Sequence, residues 1–149
     1  MQGKNKFAFY VIMIMVVAAL GLKAVNFFTK KGEVLINQKV FKVEVLKKEW
    51  ELKKGLSGRS SLAESKGLLF AFPNPDKYGF WMKGMKFPID IIWIDDGKIV
   101  DIKQSAPVPL TQNYETYTPA APARYVLEIN AGLSEEYGLK VGDSVALDI

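Results

Sequence analysis

From Phe7 to Leu22 the chain runs for 16 residues without a single charge. Nothing polar marks any face of this run, so it cannot pack as the amphipathic helix of a small water-soluble domain. Lys23 interrupts it and Ala24-Val25-Asn26-Phe27-Phe28 resumes it. A lysine near the end of such a segment can snorkel, which makes residues 7 to 28 long enough to cross a bilayer. The segment therefore predicts an N-terminal transmembrane helix, with the membrane as its first partner. A signal peptidase would need small residues at its cleavage site, and Ala19-Leu20-Gly21 is the one passable match. No cysteine follows to make a lipoprotein. An uncleaved anchor is the preferred reading, and secretion follows if the leader is removed. The six-residue lead, Met1 to Lys6, predicts a cytoplasmic tail and a domain outside the cytoplasm. Residues 1–31 are thus anchor and linker, and residues 32–149 are a single domain.

Charge and missing side chains narrow the chemistry. Five of the 20 basic residues, Lys4, Lys6, Lys23, Lys30 and Lys31, precede the first acid, Glu33. The remaining 15 face 16 acids, so the body has no positive excess for phosphates and no nucleic-acid partner is expected. Histidine and cysteine are both absent. That excludes His-based and Cys-based nucleophile systems, the usual zinc ligands, thiol redox chemistry and disulfides. No cofactor is expected. Asp95, Asp96 and Asp101 lack the spacing of a calcium loop and read as a turn, so no metal is expected either.

Period-two patterning dominates the body. Val34 to Ile36 and Lys39 to Leu46 flank a turn at Asn37-Gln38, and Ile89 to Ile94 and Lys98 to Lys103 flank Asp96-Gly97, a strong hairpin signal. Leu68 to Phe72, Gly79 to Met82, Arg124 to Ile129 and Ser144 to Leu147 read as further strands. Lys47 to Lys54 is helix-prone, with Gly55 to stop it; Ser61-Leu62-Ala63-Glu64 matches a capping box; Asn130 reads as the cap of a short helix ending at Gly138. Residues 105 to 123 carry four prolines and read as irregular, a cover lying over the sheet with Tyr114 or Tyr117 near the Trp81 strand. The predicted fold is α+β, mainly antiparallel β: a small rolled or barrel-like sheet with two or three short helices behind the membrane helix.

These segments carry a resemblance. Gly55-Leu-Ser-Gly-Arg59, Gly67 to Phe72, Phe80-Trp-Met-Lys83 with Pro88-Ile-Asp90-Ile-Ile, Val126 to Gly132 and Gly138-Leu-Lys-Val-Gly-Asp143 resemble, in order, the blocks of the domain of unknown function 192 family (uncharacterised protein family 0127). The likeness spans about residues 33 to 148. It implies a compact, mostly β domain, often exported behind a leader or anchor, with no established activity. Two positions depart from the pattern: Ser57 stands where the family usually has methionine, and Met85 where a small polar residue is common. If the first of these positions lines a pocket, that pocket is altered here.

The candidate site is argued from Asp90. A carboxylate between Ile89, Ile91 and Ile92 must be paired, hydrogen-bonded or protonated. Arg59 is the first-choice partner and Arg124 the second, because a guanidinium binds both carboxylate oxygens. The preferred role is a structural ion pair; the functional one is an anchor at the floor of a pocket walled by Phe80, Trp81, Met82 and Trp93. Glu128 shares a strand face with Arg124 and reads as part of a surface ladder, though it joins the candidate ligand-binding set. Aromatics beside polar groups suit a glycan, so a glycan or an envelope protein is the expected partner of a non-enzymatic binding or interaction module. The alternative is a hydrolase acting on envelope or carbohydrate material through carboxylates and lysine. It needs Asp90, Glu128 or Asp143 together in an open cleft.

Overall fold

The computed structural model describes residues 30–149, together with Met13 and Met15. The expected anchor over residues 7–28 otherwise lies outside the described residues. Among the described residues no helix is long and apolar enough to cross a membrane.

The domain opens on a hairpin, β1 (Lys30–Ile36) and β2 (Lys39–Leu46). Asn37 and Gln38 both take left-handed backbone angles, as a two-residue turn matching the strand twist requires. The chain then crosses through helix α1 (Glu49–Lys54) to β3 (Lys66–Asp76), which lies parallel to β2. After the short β4 (Phe80–Trp81), the Asp96-Gly97 turn joins β5 (Ile89–Asp95) to β6 (Lys98–Ala106). Then come β7 (Thr116–Tyr117), β8 (Ala123–Asn130), helix α2 (Leu133–Glu136) and β9 (Val145–Asp148).

Seven strands make one sheet in the order β6-β5-β8-β3-β2-β1-β9, antiparallel except where β2 meets β3. The sheet curls into a half-barrel, and its two edges approach closely enough for Lys98 to bridge Ser144. β4 and β7 form a separate two-stranded ribbon. Mostly antiparallel α+β with two short helices among the described residues is therefore the architecture.

Both faces of the central strands are covered. One core holds Ile36, Phe41, Leu69, Ile92, Leu127 and Ile129; the other holds Leu56, Leu68, Phe70, Ile91, Trp93 and Val126. Successive residues of β5 and β8 alternate between these cores, the period-two consequence that decides which way each acid points.

Three local expectations are corrected. Ser61 to Glu64 forms no helix: Lys66 enters β3, and Gly67 is needed there because a Cβ would come within 2.9 Å of Leu127 and 3.0 Å of the Glu128 carbonyl. Asn130 does not cap α2; its side chain donates to the Leu62 carbonyl at 2.8 Å, and Gly132 occupies the cap position. The 105–123 segment is not wholly irregular, since Thr116 and Tyr117 pair with Trp81 and Phe80. That pairing does set Tyr117 beside the Trp81 strand, as a cover should.

Candidate functional site

Asp90 is fully buried, and its partners are not arginines. Ser105 and Gly132 donate backbone N–H groups to Oδ1 at 2.7 and 3.2 Å; the Ser134 N–H and hydroxyl donate to Oδ2 at 2.8 and 2.7 Å. Ile89 pairs with Ala106 and Ile91 with Lys103, so β6 has one residue more than β5 across this step. That bulge, with Ser105 at φ 47, turns the Ser105 N–H toward Asp90. The other three donors start α2, whose unpaired N–H groups a carboxylate satisfies. Four donors replace water without any counter-charge, which is why the expected arginine pair does not form.

Both arginines are engaged elsewhere. Arg59 makes a two-pronged pair with Glu44, at 2.8 and 2.7 Å. It holds the Glu44 carboxyl below the usual range, the direct hydrogen bond being the main cause. Arg124 donates from Nη2 to the Pro73 carbonyl at 2.7 Å on an exposed stretch.

The unexpected group is Glu128. It is 5% exposed, and its register partners on either side are Leu68 and Ile91. The surface-ladder expectation fails because β8 is a central strand, so the face Glu128 shares with Val126 is roofed by the loops around α1 and β4. Oε2 is buried with no hydrogen-bond partner. Burial pushes its pKa up to about 8, with the Arg59 charge pulling weakly the other way. Among the described residues no other acid is both buried and left short of partners: Glu51 Oε2 accepts from the N–H groups of Lys47 and Lys48 at 3.3 and 3.1 Å.

Glu128 lines a cavity of about 320 Å³. Around it stand Leu52, Leu56 and Met85, with Phe70, Phe72, Tyr78, Phe80 and Trp81 as an aromatic wall. Phe72 and Tyr78 stack at 3.6 Å between centroids, and Phe80 meets Phe70 edge-on at 4.8 Å. Gly55 sits beside the carboxyl: a Cβ there would stand 3.2 Å from Phe70 and 3.9 Å from Oε2, on a backbone at φ 48 that side chains disfavour. The rim carries Glu49, Lys53 and Lys54, of which Lys53 and Glu49 pair at 2.6 Å. Ser57 donates its hydroxyl to the Lys83 carbonyl at 2.7 Å, tying the floor loop to the loop that presents Met85. Both positions that depart from the family's pattern thus line this cavity.

Of the residues singled out in the sequence, Phe80, Trp81 and Glu128 line the cavity. Met82 and Trp93 lie buried beneath its wall, Trp93 donating to the Tyr78 carbonyl at 3.1 Å. Asp90 points into the opposite core. Asp143 lies at the far hairpin end, accepting from Asn37 at 2.6 Å and from the Lys140 N–H at 3.0 Å. The three acids do not meet. A second hollow, of about 400 Å³ beside Lys39, Phe41, Glu64 and Tyr137, holds polar groups that satisfy one another, Tyr137 donating to Glu64 at 3.2 Å.

The model of the DUF192 family, described as "Uncharacterized ACR", matches residues 32–147. Two solved structures share the fold. A protein of unknown function from Novosphingobium aromaticivorans DSM 12444 is 33% identical, with a TM-score of 0.68, over 79% of this chain and 84% of its own. A suggested transcription regulator from Sinorhizobium meliloti 1021 is 30% identical, with a TM-score of 0.70, over 80% and 95%. No curated protein matches.

Proposed function

This chain belongs to the DUF192 family, and we propose that it is a binding module, held at the membrane by residues 7–28 and displayed outside the cytoplasm, whose ligand sits in the cavity over Glu128. One observation carries the reading: a carboxyl with an unpartnered buried oxygen lines an aromatic-walled cavity. A fold that spends four donors on Asp90 has the means to satisfy a buried acid, so leaving Glu128 short points to a partner from outside the chain. The cavity's size suits a small molecule or the terminal group of a larger envelope constituent.

The hydrolase alternative asks for a base or second acid beside Glu128. The cavity's other acid, Glu49, is exposed and tied to Lys53. The regulator label of the Sinorhizobium relative does not favour nucleic acid here, given 15 basic against 16 acidic side chains beyond residue 31.

A melting-shift screen of the full chain in nanodiscs, against glycans, small acids and small amines, tests the seat. Hits should raise the melting temperature of the wild type and not of Leu52→Trp, which fills the cavity. Hits that stabilise both equally would place the ligand elsewhere. Display outside the cytoplasm has its own check, because the chain has no cysteine. Leu110→Cys, at a fully exposed position, should react with a membrane-impermeant maleimide on intact cells, and protection until lysis would reverse the orientation.

A further inference from the structure

We propose that the ligand of the Glu128 cavity is an organic ammonium ion on a small apolar body, with Glu128 as its counter-ion. The inference rests on the binding reading above and names the chemistry of the ligand.

Three features converge. First, among the described residues the carboxyl has no positive partner of its own: the cation nearest in effect, Arg59, has both prongs on Glu44. Second, Phe70, Phe72, Tyr78, Phe80 and Trp81 surround the space beside it. Aromatic faces are electron-rich, and they attract a cation while offering nothing to an anion. Third, Leu52, Leu56 and Met85 supply the surface for an apolar body. A neutral carbonyl could accept one hydrogen bond from a protonated Glu128 but would bring no charge to pair with it, and an anion would be repelled by the carboxylate.

Binding then moves a proton. Below about pH 8 the empty site holds Glu128 as the neutral acid. The ammonium ion enters with its own proton, the carboxyl releases one to solvent, and a carboxylate and ammonium pair remains. No electron or covalent bond changes hands. The charged groups facing Glu128 are few: Arg59 with its partner Glu44, and at the rim Glu49, Lys53 and Lys54, where only Lys54 has no acidic partner. Lys54 is exposed to water, which screens its repulsion of an entering cation.

Calorimetry on the full chain in phosphatidylglycerol nanodiscs, whose lipid carries no amine, tests the proposal with three probes of one shape: phenethylamine, 2-phenylethanol and 3-phenylpropanoate. Phenethylamine should bind tightest and release about 0.9 proton at pH 7, read from heats in buffers of different ionisation enthalpy. Its affinity should rise about fivefold from pH 7 to pH 8 as the neutral acid disappears. Glu128→Gln should abolish the proton release and the pH dependence and weaken phenethylamine at least about tenfold, with 2-phenylethanol unaffected. Equal binding of amine and alcohol with no proton release overturns the ammonium assignment while leaving the cavity as the seat. Tightest binding of 3-phenylpropanoate overturns it in favour of the rim lysines. Failure of all three to bind also overturns it, and the Leu52→Trp comparison above then decides whether the cavity reading falls with it.

Discussion

Asp90 and Glu128 sit on neighbouring strands one register step apart, since Asp90 faces Ile129 and Ile91 faces Glu128. Both are buried, yet they belong to opposite cores and have opposite fates. Asp90 collects four donors from a β-bulge and a helix start, and it ties β5 to two loops. Glu128 Oε2 collects none. A buried acid with its donors supplied is a structural joint; one without them is left with an unmet need for a partner. Burial alone does not separate the two, and the supply of backbone N–H groups does.

The widest separation should appear in the pH dependence of folding. An acid whose folded pKa is about 8 against about 4.5 unfolded holds its proton in the fold after the unfolded chain has released it. The unfolded state then binds fewer protons, so stability is fully present below about pH 4.5, falls as pH rises and levels off above about pH 8. Relative to Glu128→Gln, the wild type should lose about 5 kcal/mol across that window, measured by urea unfolding. Parallel curves for the two proteins would break the comparison, because Glu128 would then be no more costly to ionise than an exposed acid.

Asp90→Asn comes next, with an expected loss of about 3 kcal/mol at pH 7, since the amide sets a donor against N–H groups that need an acceptor. An unchanged melting temperature would show that the four bonds contribute nothing. Ser134→Ala sharpens the same side by removing only the hydroxyl donor, at about 1.5 kcal/mol. Smallest is Glu44→Gln. It releases Arg59 from its pair, so the Glu128 transition should move toward lower pH by less than about one unit, with under about 1 kcal/mol lost from a half-exposed ion pair. A transition that stays in place would mean Arg59 has no hold on Glu128.

The hairpins, the helix before Gly55 and the strand-rich architecture were legible because turn chemistry and period-two alternation are local. The need for partners at Asp90 was legible too, from Ile89, Ile91 and Ile92. Their identity was not: backbone N–H groups are the same at every residue, and nothing at Ser105 or Gly132 marks them as donors to a residue so distant in sequence. Glu128 was misread for a related reason. Arg124, Glu128 and Asn130 look like the wet face of a strand, and only the sheet order places β8 in the middle. The cavity left a partial trace at Ser57 and Met85, the two positions out of pattern, both of which line it. Phe80 and Trp81 were found for their aromaticity. Tyr78, Phe70 and Phe72 were not, because aromatic residues on strands fill cores as readily as they wall sites.

β1 and β9 lie side by side with Glu33 opposite Asp148, and Ile149 rests against Gly32. The chain therefore enters and leaves the domain at one place, and its path is closer to a ring than to a line. A short linker could join Ile149 to Lys30 without crossing the sheet, and the ring could be reopened at the exposed Thr111 to Asn113 stretch. Anything fused to Ile149 would emerge beside the segment that leads into β1.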